Sequence, residues 1–209
     1  VFVTSLITAN IIAVKVISVG SLILPAAIVI FPLSYIFGDI LTEVYGYRWA
    51  RSVIWLGFLC NLIFVIFAWV GQLLPPAPFW GGQEAYESIL GYTPRLLAAS
   101  FGGYLVGEFI NSFVLAKMKL LTKGRWLWTR TIGSTVVGQG LDTAVFITLA
   151  FVGTPSFAMI MILHHWLAKV AIEAIATPFT YATVNTLKRK EGLDTYDYET
   201  NFNPFRITD

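Results

Sequence analysis

The 209-residue chain is poor in charge and in cysteine, and neither sign of charge is in marked excess. Only 12% of its residues are Asp, Glu, Lys or Arg, about half the roughly 25% of a soluble domain. That excludes an ordinary cytosolic enzyme and a disordered chain. The single cysteine, Cys60, lies in an apolar run, so no internal disulfide forms and no CxxC pair offers metal ligands. A disulfide-stapled secreted domain is thereby excluded. A formal net charge of +2 is too small for a nucleic-acid-binding surface. GxxxxGK[ST], HExxH, GxSxG and the Gly-rich dinucleotide fingerprint are all missing, so ATP hydrolysis by a phosphate loop is not expected.

What remains is apolar. Hydrophobic residues make up 56% of the chain, and the mean hydropathy is +0.72. This defines a polytopic membrane protein. The chain begins at Val1, already apolar, and is expected to lack its original N-terminus; a cleaved signal peptide is not the simplest reading.

Six stretches approach the roughly 20 apolar residues needed to cross the hydrocarbon layer: 1–19, 22–42, 51–74, 95–117, 131–153 and 157–187. Lipid satisfies no open backbone, and the runs are too long and uniform for barrel strands. The expected fold is therefore all-α, with six transmembrane helices. The connections set the orientation. Arg48 and Arg51 lie in the second; Lys117, Lys119, Lys123, Arg125 and Arg130 surround the fourth; Lys188-Arg189-Lys190 follows the last span. Basic loops mark the cytoplasmic side, which puts both termini inside. The Pro-rich loop from Leu74, with Glu84 and Glu87 against Arg95, falls outside. Gly20-Ser21 and Gly153-Thr154-Pro155 are short connections. Trp126, Trp128 and Trp80 are interfacial anchors. Residues 1–190 form the membrane domain. Residues 191–209, with Glu191, Asp194, Asp197, Glu199 and Asp209, read as a short solvated cytoplasmic tail.

Ionisable residues inside the spans carry the functional information. They are Lys15 in the first, Asp39 in the second, Glu108 in the fourth, Asp142 in the fifth, and His164, His165, Lys169 and Glu173 in the sixth. Each costs about 2.5–3.5 kcal/mol at a helix centre on insertion scales. Together they would exceed a typical folding margin of about 5–15 kcal/mol unless they face one another or a wet cavity. Gly38-Asp39-Ile40-Leu41-Thr42-Glu43, Gly107-Glu108-Phe109-Ile110-Asn111-Ser112 and Gly138-Gln139-Gly140-Leu141-Asp142-Thr143 share one pattern. A glycine admits a close neighbour, and polar groups follow on one helix face. Tyr35 and Tyr104 each precede the glycine by three residues, which fits a remnant of internal repetition. His165, Lys169 and Glu173 step by four and form one stripe, beyond which Pro178 loosens the helix. Pro25 and Pro32 interrupt the second span.

Blander readings stand beside these. Lys15 with a carboxylate is equally a structural ion pair. Glu43, near the inner interface, is expected to pair with Arg48 and Arg51. His164 and His165 diverge by about 100° as adjacent helical residues, so no metal site is expected, and His165 fits a proton relay better.

The run Phe31-Pro32-Leu33-Ser34-Tyr35-Ile36-Phe37-Gly38-Asp39-Ile40-Leu41-Thr42-Glu43-Val44-Tyr45-Gly46 with Arg51 resembles the signature of the bacterial queuosine precursor transporter family. Asn10, Lys15, Pro94-Arg95, Ala99-Ser100, Asn111, Arg130, Ser134-Thr135-Val136-Val137-Gly138-Gln139, Asp142-Thr143, Lys169, Glu173 and Thr177-Pro178 extend the match over essentially residues 1–205. The resemblance implies a multi-pass protein of the bacterial inner membrane. Its implied role is import of 7-cyano-7-deazaguanine and its 7-aminomethyl relative, for queuosine in tRNA. It also implies six helices like those of energy-coupling-factor substrate-binding subunits, but action without the ATPase module, and no cofactor. The implied partners are a nucleobase-like solute and membrane lipid, with a homo-oligomer compatible and no nucleic acid.

For such a solute, one carboxylate can accept both adjacent N–H donors of the base. Glu108 or Asp142 is the candidate, with Gln139, Asn111 or Asn10 near the carbonyl, and Asp39 and Tyr35 completing the binding set. Lys15, Lys169, Glu173 and His165 would balance charge as access alternates. Three other accounts stay open: a binding subunit that needs an ATPase, a membrane enzyme using His165, Lys169 and Glu173 as acid–base groups, and a scaffold. The coupling ion, the preferred base and the oligomeric state are not legible.

Overall fold

The computed structural model describes residues 1–19, 22–91, 94–153 and 159–206. The elements run α1 (Phe2–Ile12), β1 (Val16–Val19), β2 (Leu22–Pro25), a 3-10 turn (Ala26–Val29), α2 (Phe31–Ile40), a π turn (Leu41–Tyr45), α3 (Tyr47–Leu73), α4 (Gln83–Leu90), α5 (Pro94–Leu121), α6 (Leu127–Phe151) and α7 (Met159–Glu191). The Gly20-Ser21 connection, Thr154-Pro155 and Asp209 lie outside the described residues.

Stretches 1–19 and 22–42 depart from the expected helical spans. Helix α1 ends at Ile12, and an antiparallel pair pairs Val16 with Pro25, Ile17 with Leu24, Ser18 with Ile23 and Val19 with Leu22. β-Branched Val16, Ile17 and Val19 favour extended backbone, and Pro25 bars a helix from continuing through the second half. Pro32 sits in the first turn of α2, where a missing N–H is harmless. Lys15 consequently stands exposed in the bend before β1, not within a helix. The Pro-rich loop also differs from expectation, since it holds the short helix α4 with Glu84 in its first turn.

Four helices, α3, α5, α6 and α7, have 25 to 33 residues, enough at about 1.5 Å per residue to cross a bilayer. Among the described residues, α3 and α6 are also apolar enough by composition. Their packing is inverted relative to a soluble protein. Phe67, Ile175 and Phe179 are 69%, 73% and 68% exposed, while Glu43, Arg130 and Glu173 are at most 1% exposed. Oily residues outside and charges inside are what a lipid solvent selects.

At the basic end of the bundle, Gly46 (φ +87°) turns the chain from the π turn into α3, a conformation that L side chains rarely adopt. The Glu43 carboxylate is buried there and takes Arg130 through both oxygens (3.2 and 2.8 Å) and Lys188 (2.7 Å), with Lys119 at 3.7 Å. The expected partners Arg48 and Arg51 are not the ones used. Arg51 turns to the tail and donates to the carbonyls of Asn201 and Asn203, both at 3.0 Å. Lys119 and Arg130, expected as orientation signals, are buried members of this ionic hub.

The tail is no solvated appendix. Asp194 joins the hub through Lys119 (2.6 Å) and Lys188 (2.7 Å). Asp197 is buried and accepts the first N–H of α3, from Tyr47 (3.1 Å). Trp55 donates to the carbonyl of Pro204 (2.7 Å), and the Phe202 ring lies 5.0 Å from that of Tyr47. The acidic residues that suggested solvation instead find buried cations and a helix N-terminus.

Burial acts to raise the Asp194 carboxyl, but hydrogen bonds and charge from Lys119 and Lys188 outweigh it and hold it below the usual carboxylate range. A carboxyl lowered in the folded state stabilises above its ordinary value and loses that contribution as pH falls through the lowered one. The tail should therefore stay clasped at neutral pH and loosen only below the ordinary aspartate value. Asp194→Asn should raise hydrogen–deuterium exchange over 195–203 at neutral pH. Unchanged protection in that variant would refute the clasp.

Candidate functional site

The site is built where α2, α5, α6 and α7 meet. Helices α5 and α6 approach closely because glycines face polar side chains across the interface. A Cβ on Gly138 would stand 2.6 Å from the Asn111 Cβ, and one on Gly107 would stand 2.5 Å from the Asp142 Cβ. The two repeated glycine–polar patterns thus press against each other, as their spacing suggested. Gly138→Ala should separate the helices and cost about 1–3 kcal/mol, as overpacking does. A detergent melt checks this against Gly81→Ala, where nothing lies within 4 Å. Equal melting temperatures would show that the contact is slack.

Along this seam the polar groups converge. Lys169 of α7 pairs with Asp142 of α6 and donates to Gln139 Oε1 (3.1 Å). The Tyr35 hydroxyl of α2 donates to that same oxygen (3.2 Å). With Oε1 taken by two donors, the Gln139 amide N–H groups remain to serve an acceptor. Asn111 of α5 donates to Asp39 Oδ1 of α2 (3.2 Å). Glu108 lies on α5 within electrostatic reach of Asp142, Lys169 and Glu173. It is partly exposed, and its carboxylate accepts no hydrogen bond among the described residues.

Several buried polar atoms lack a partner: Ser34 Oγ, Asp39 Oδ2, Asn111 Oδ1, Thr143 Oγ1 and both oxygens of Glu173. Buried polar atoms are rarely left without partners, and Asp39, Asn111 and Glu173 of this seam are among those that are.

Tyr35, Asp39, Glu108, Asn111, Gln139, Asp142, Lys169 and Glu173 are thus brought together. Three other expected residues are not. Asn10 of α1 hydrogen-bonds Asn61 of α3 (2.9 Å). Lys15 is exposed in its bend. His165 is half-buried one turn before Lys169, and the charged groups nearest it are Lys169 and His164 of its own helix. The sequence marks neither Asn61 nor the Arg130–Lys119–Lys188 hub; it shows Arg130 as a topology mark and as part of the family resemblance, although a buried Glu43 demands a cation. Arg95, read against Glu84 and Glu87, instead donates to the carbonyls of Leu149 (2.7 Å) and Val152 at the end of α6.

The two best-formed grooves among the described residues do not lie at the expected wet chamber. A groove of about 580 Å³ lies under the tail between Arg48 and Arg206, and an apolar one of about 480 Å³ lies beside Trp80. Neither is lined by a residue of the polar seam. Among the described residues, no group of three or more His, Cys, Asp or Glu side chains is placed to hold a metal ion.

A helical bundle with an oily exterior and charged groups enclosed between its helices defines an integral membrane transporter. The chain belongs to the family described as "Putative vitamin uptake transporter", whose pattern matches residues 25–183. A "Probable queuosine precursor transporter" of Bacillus subtilis (strain 168) is 31% identical over 189 residues, covering 88% of this chain and 82% of that one. The "Queuosine precursor transporter" of Escherichia coli (strain K12) is 26% identical over 137 residues, which is 66% of this chain and 58% of that one. A "Probable queuosine precursor transporter" of Haemophilus influenzae is 26% identical over 121 residues, 58% of this chain and 49% of that one. No solved structure matches the chain.

Proposed function

We propose that this protein imports queuosine precursors, 7-cyano-7-deazaguanine or its 7-aminomethyl relative, across the bacterial inner membrane, moving its solute without changing it chemically. The observation that carries this reading is the convergence on one seam of Gln139, which accepts from Tyr35 and Lys169, the Lys169–Asp142 pair, and Glu108 within electrostatic reach of that pair. A deazaguanine presents two adjacent N–H donors and a carbonyl on one edge. Glu108 takes the donors in a charge-assisted pair, and the Gln139 amide serves the carbonyl. Asp39, Asn111 and Tyr35 frame the same seam. Lys169 is the group that changes partners when the seam opens.

The basic end of the bundle faces the cytoplasm. Lys119 at the end of α5, Arg130 at the start of α6 and Lys188 at the end of α7 all meet Glu43 just before α3. Strict alternation of these four helices across the bilayer follows, with the C-terminal tail inside. The six-span arrangement with the N-terminus inside takes its first two crossings from residues 1–45, where α1 alone is too short to span and the hairpin and the 3-10 turn extend the path. The transporter works without an ATPase subunit.

Liposomes containing this chain alone, loaded with unlabelled base, should take up labelled base by counterflow. Absence of counterflow from protein that melts cooperatively would overturn the proposal.

A further inference from the structure

We propose that Asp39 and Glu173 form a proton-carrying pair, one proton shared by two buried carboxyls, whose loading and release couple solute movement to the proton gradient. The proposal rests on the transport reading above and assigns it an energy source. Glu173 is 0% exposed, and neither of its oxygens has a hydrogen-bond partner. Asp39 is 1% exposed; one oxygen accepts from Asn111, and the other has no partner. Helices α2 and α7 pack together, and Glu173 lies within electrostatic reach of Asp39.

The other charged groups do not neutralise the pair. From α5 comes Glu108, a further carboxylate, and from the π turn comes Glu43, already held by Arg130 and Lys188. Lys169, one turn from Glu173 on α7, is committed to Asp142 of α6. Tyr35 donates to Gln139. Thr177 spends its hydroxyl on the backbone carbonyl of Glu173 and leaves the carboxylate alone (2.8 Å). Two buried carboxyls without a cation cannot both ionise, and an unpaired buried charge is strongly unfavourable. A shared proton removes the repulsion and gives one oxygen a donor. Intramembrane carboxyls of this kind mark proton paths. Release follows when the seam opens and water or Lys169 reaches the pair.

Two measurements test this. Infrared spectra of the solute-free protein in detergent should show a protonated-carboxyl carbonyl band at neutral pH, shifted in Glu173→Gln and in Asp39→Asn and unmoved in Glu84→Gln. No such band, or a band indifferent to both seam variants, overturns the pair whatever the solute is. In proteoliposomes, an inside-alkaline pH gradient in sodium-free buffer should raise accumulation of labelled base toward a ceiling of about tenfold per pH unit for one proton. In Glu173→Gln the ratio of gradient-driven uptake to gradient-free counterflow should fall to one, whatever the absolute rate. Accumulation driven by a sodium gradient and indifferent to pH overturns proton coupling. Loss of wild-type counterflow with the infrared band intact condemns the transport reading and spares the proton pair.

Discussion

Glu108→Gln should weaken binding of the deazaguanine base by about 30- to 150-fold, without lowering the melting temperature of the solute-free protein. A carboxylate accepts two adjacent N–H donors at once. The amide that replaces it keeps one acceptor and turns an NH2 toward a donor. The lost charge-assisted pairing is worth about 2–3 kcal/mol, which converts to that range. Stability should not fall, because the change removes a carboxylate that faces Asp142 and Glu173 as like charges. Calorimetric titration with the cyano base measures the affinity. An unchanged affinity would remove Glu108 from the site and leave Asp142 as the acceptor, at the expense of its pair with Lys169.

Glu43→Gln should cost about 3–5 kcal/mol of stability, the usual effect of breaking a buried ion pair and stranding its partners. Three cations, Lys119, Arg130 and Lys188, then face one remaining acidic member of the hub, Asp194. Arg130 is fully buried, and no other carboxylate contacts it among the described residues. The tail should loosen with the hub, since Asp194 and the backbone of Thr195 are held through Lys119. A melt in detergent reads the loss. A melting temperature within error of the parent would show that the hub contributes only orientation, as surface pairs do.

The polar seam was legible in the sequence because lipid makes ionisable residues conspicuous. Asp39, Glu108, Asp142, Lys169 and Glu173 had no soluble role to hide in, and their glycine spacing indicated which faces meet. The first two stretches were misread for a different reason. Hydropathy reports residence in lipid but not backbone shape, so Val16–Val19 and Leu22–Pro25 scored as helix while pairing as strands. Lys15 was drawn into the seam by that error. The ionic hub was missed because Lys119 and Arg130 also satisfy the positive-inside pattern, which explained them too early. Asp197 could not be read at all. Its partner, the Tyr47 N–H, is a backbone group 150 positions away in sequence, which no side-chain pattern records.

A structure of the protein bound to 7-cyano-7-deazaguanine tests the central claim most directly. The account predicts the base between α2, α5, α6 and α7, with its N–H edge on Glu108, its carbonyl on Gln139 and the seam opened around it. A base seated instead in the groove between Arg48 and Arg206, with the Lys169–Asp142 pair and its neighbours unmoved, would contradict it.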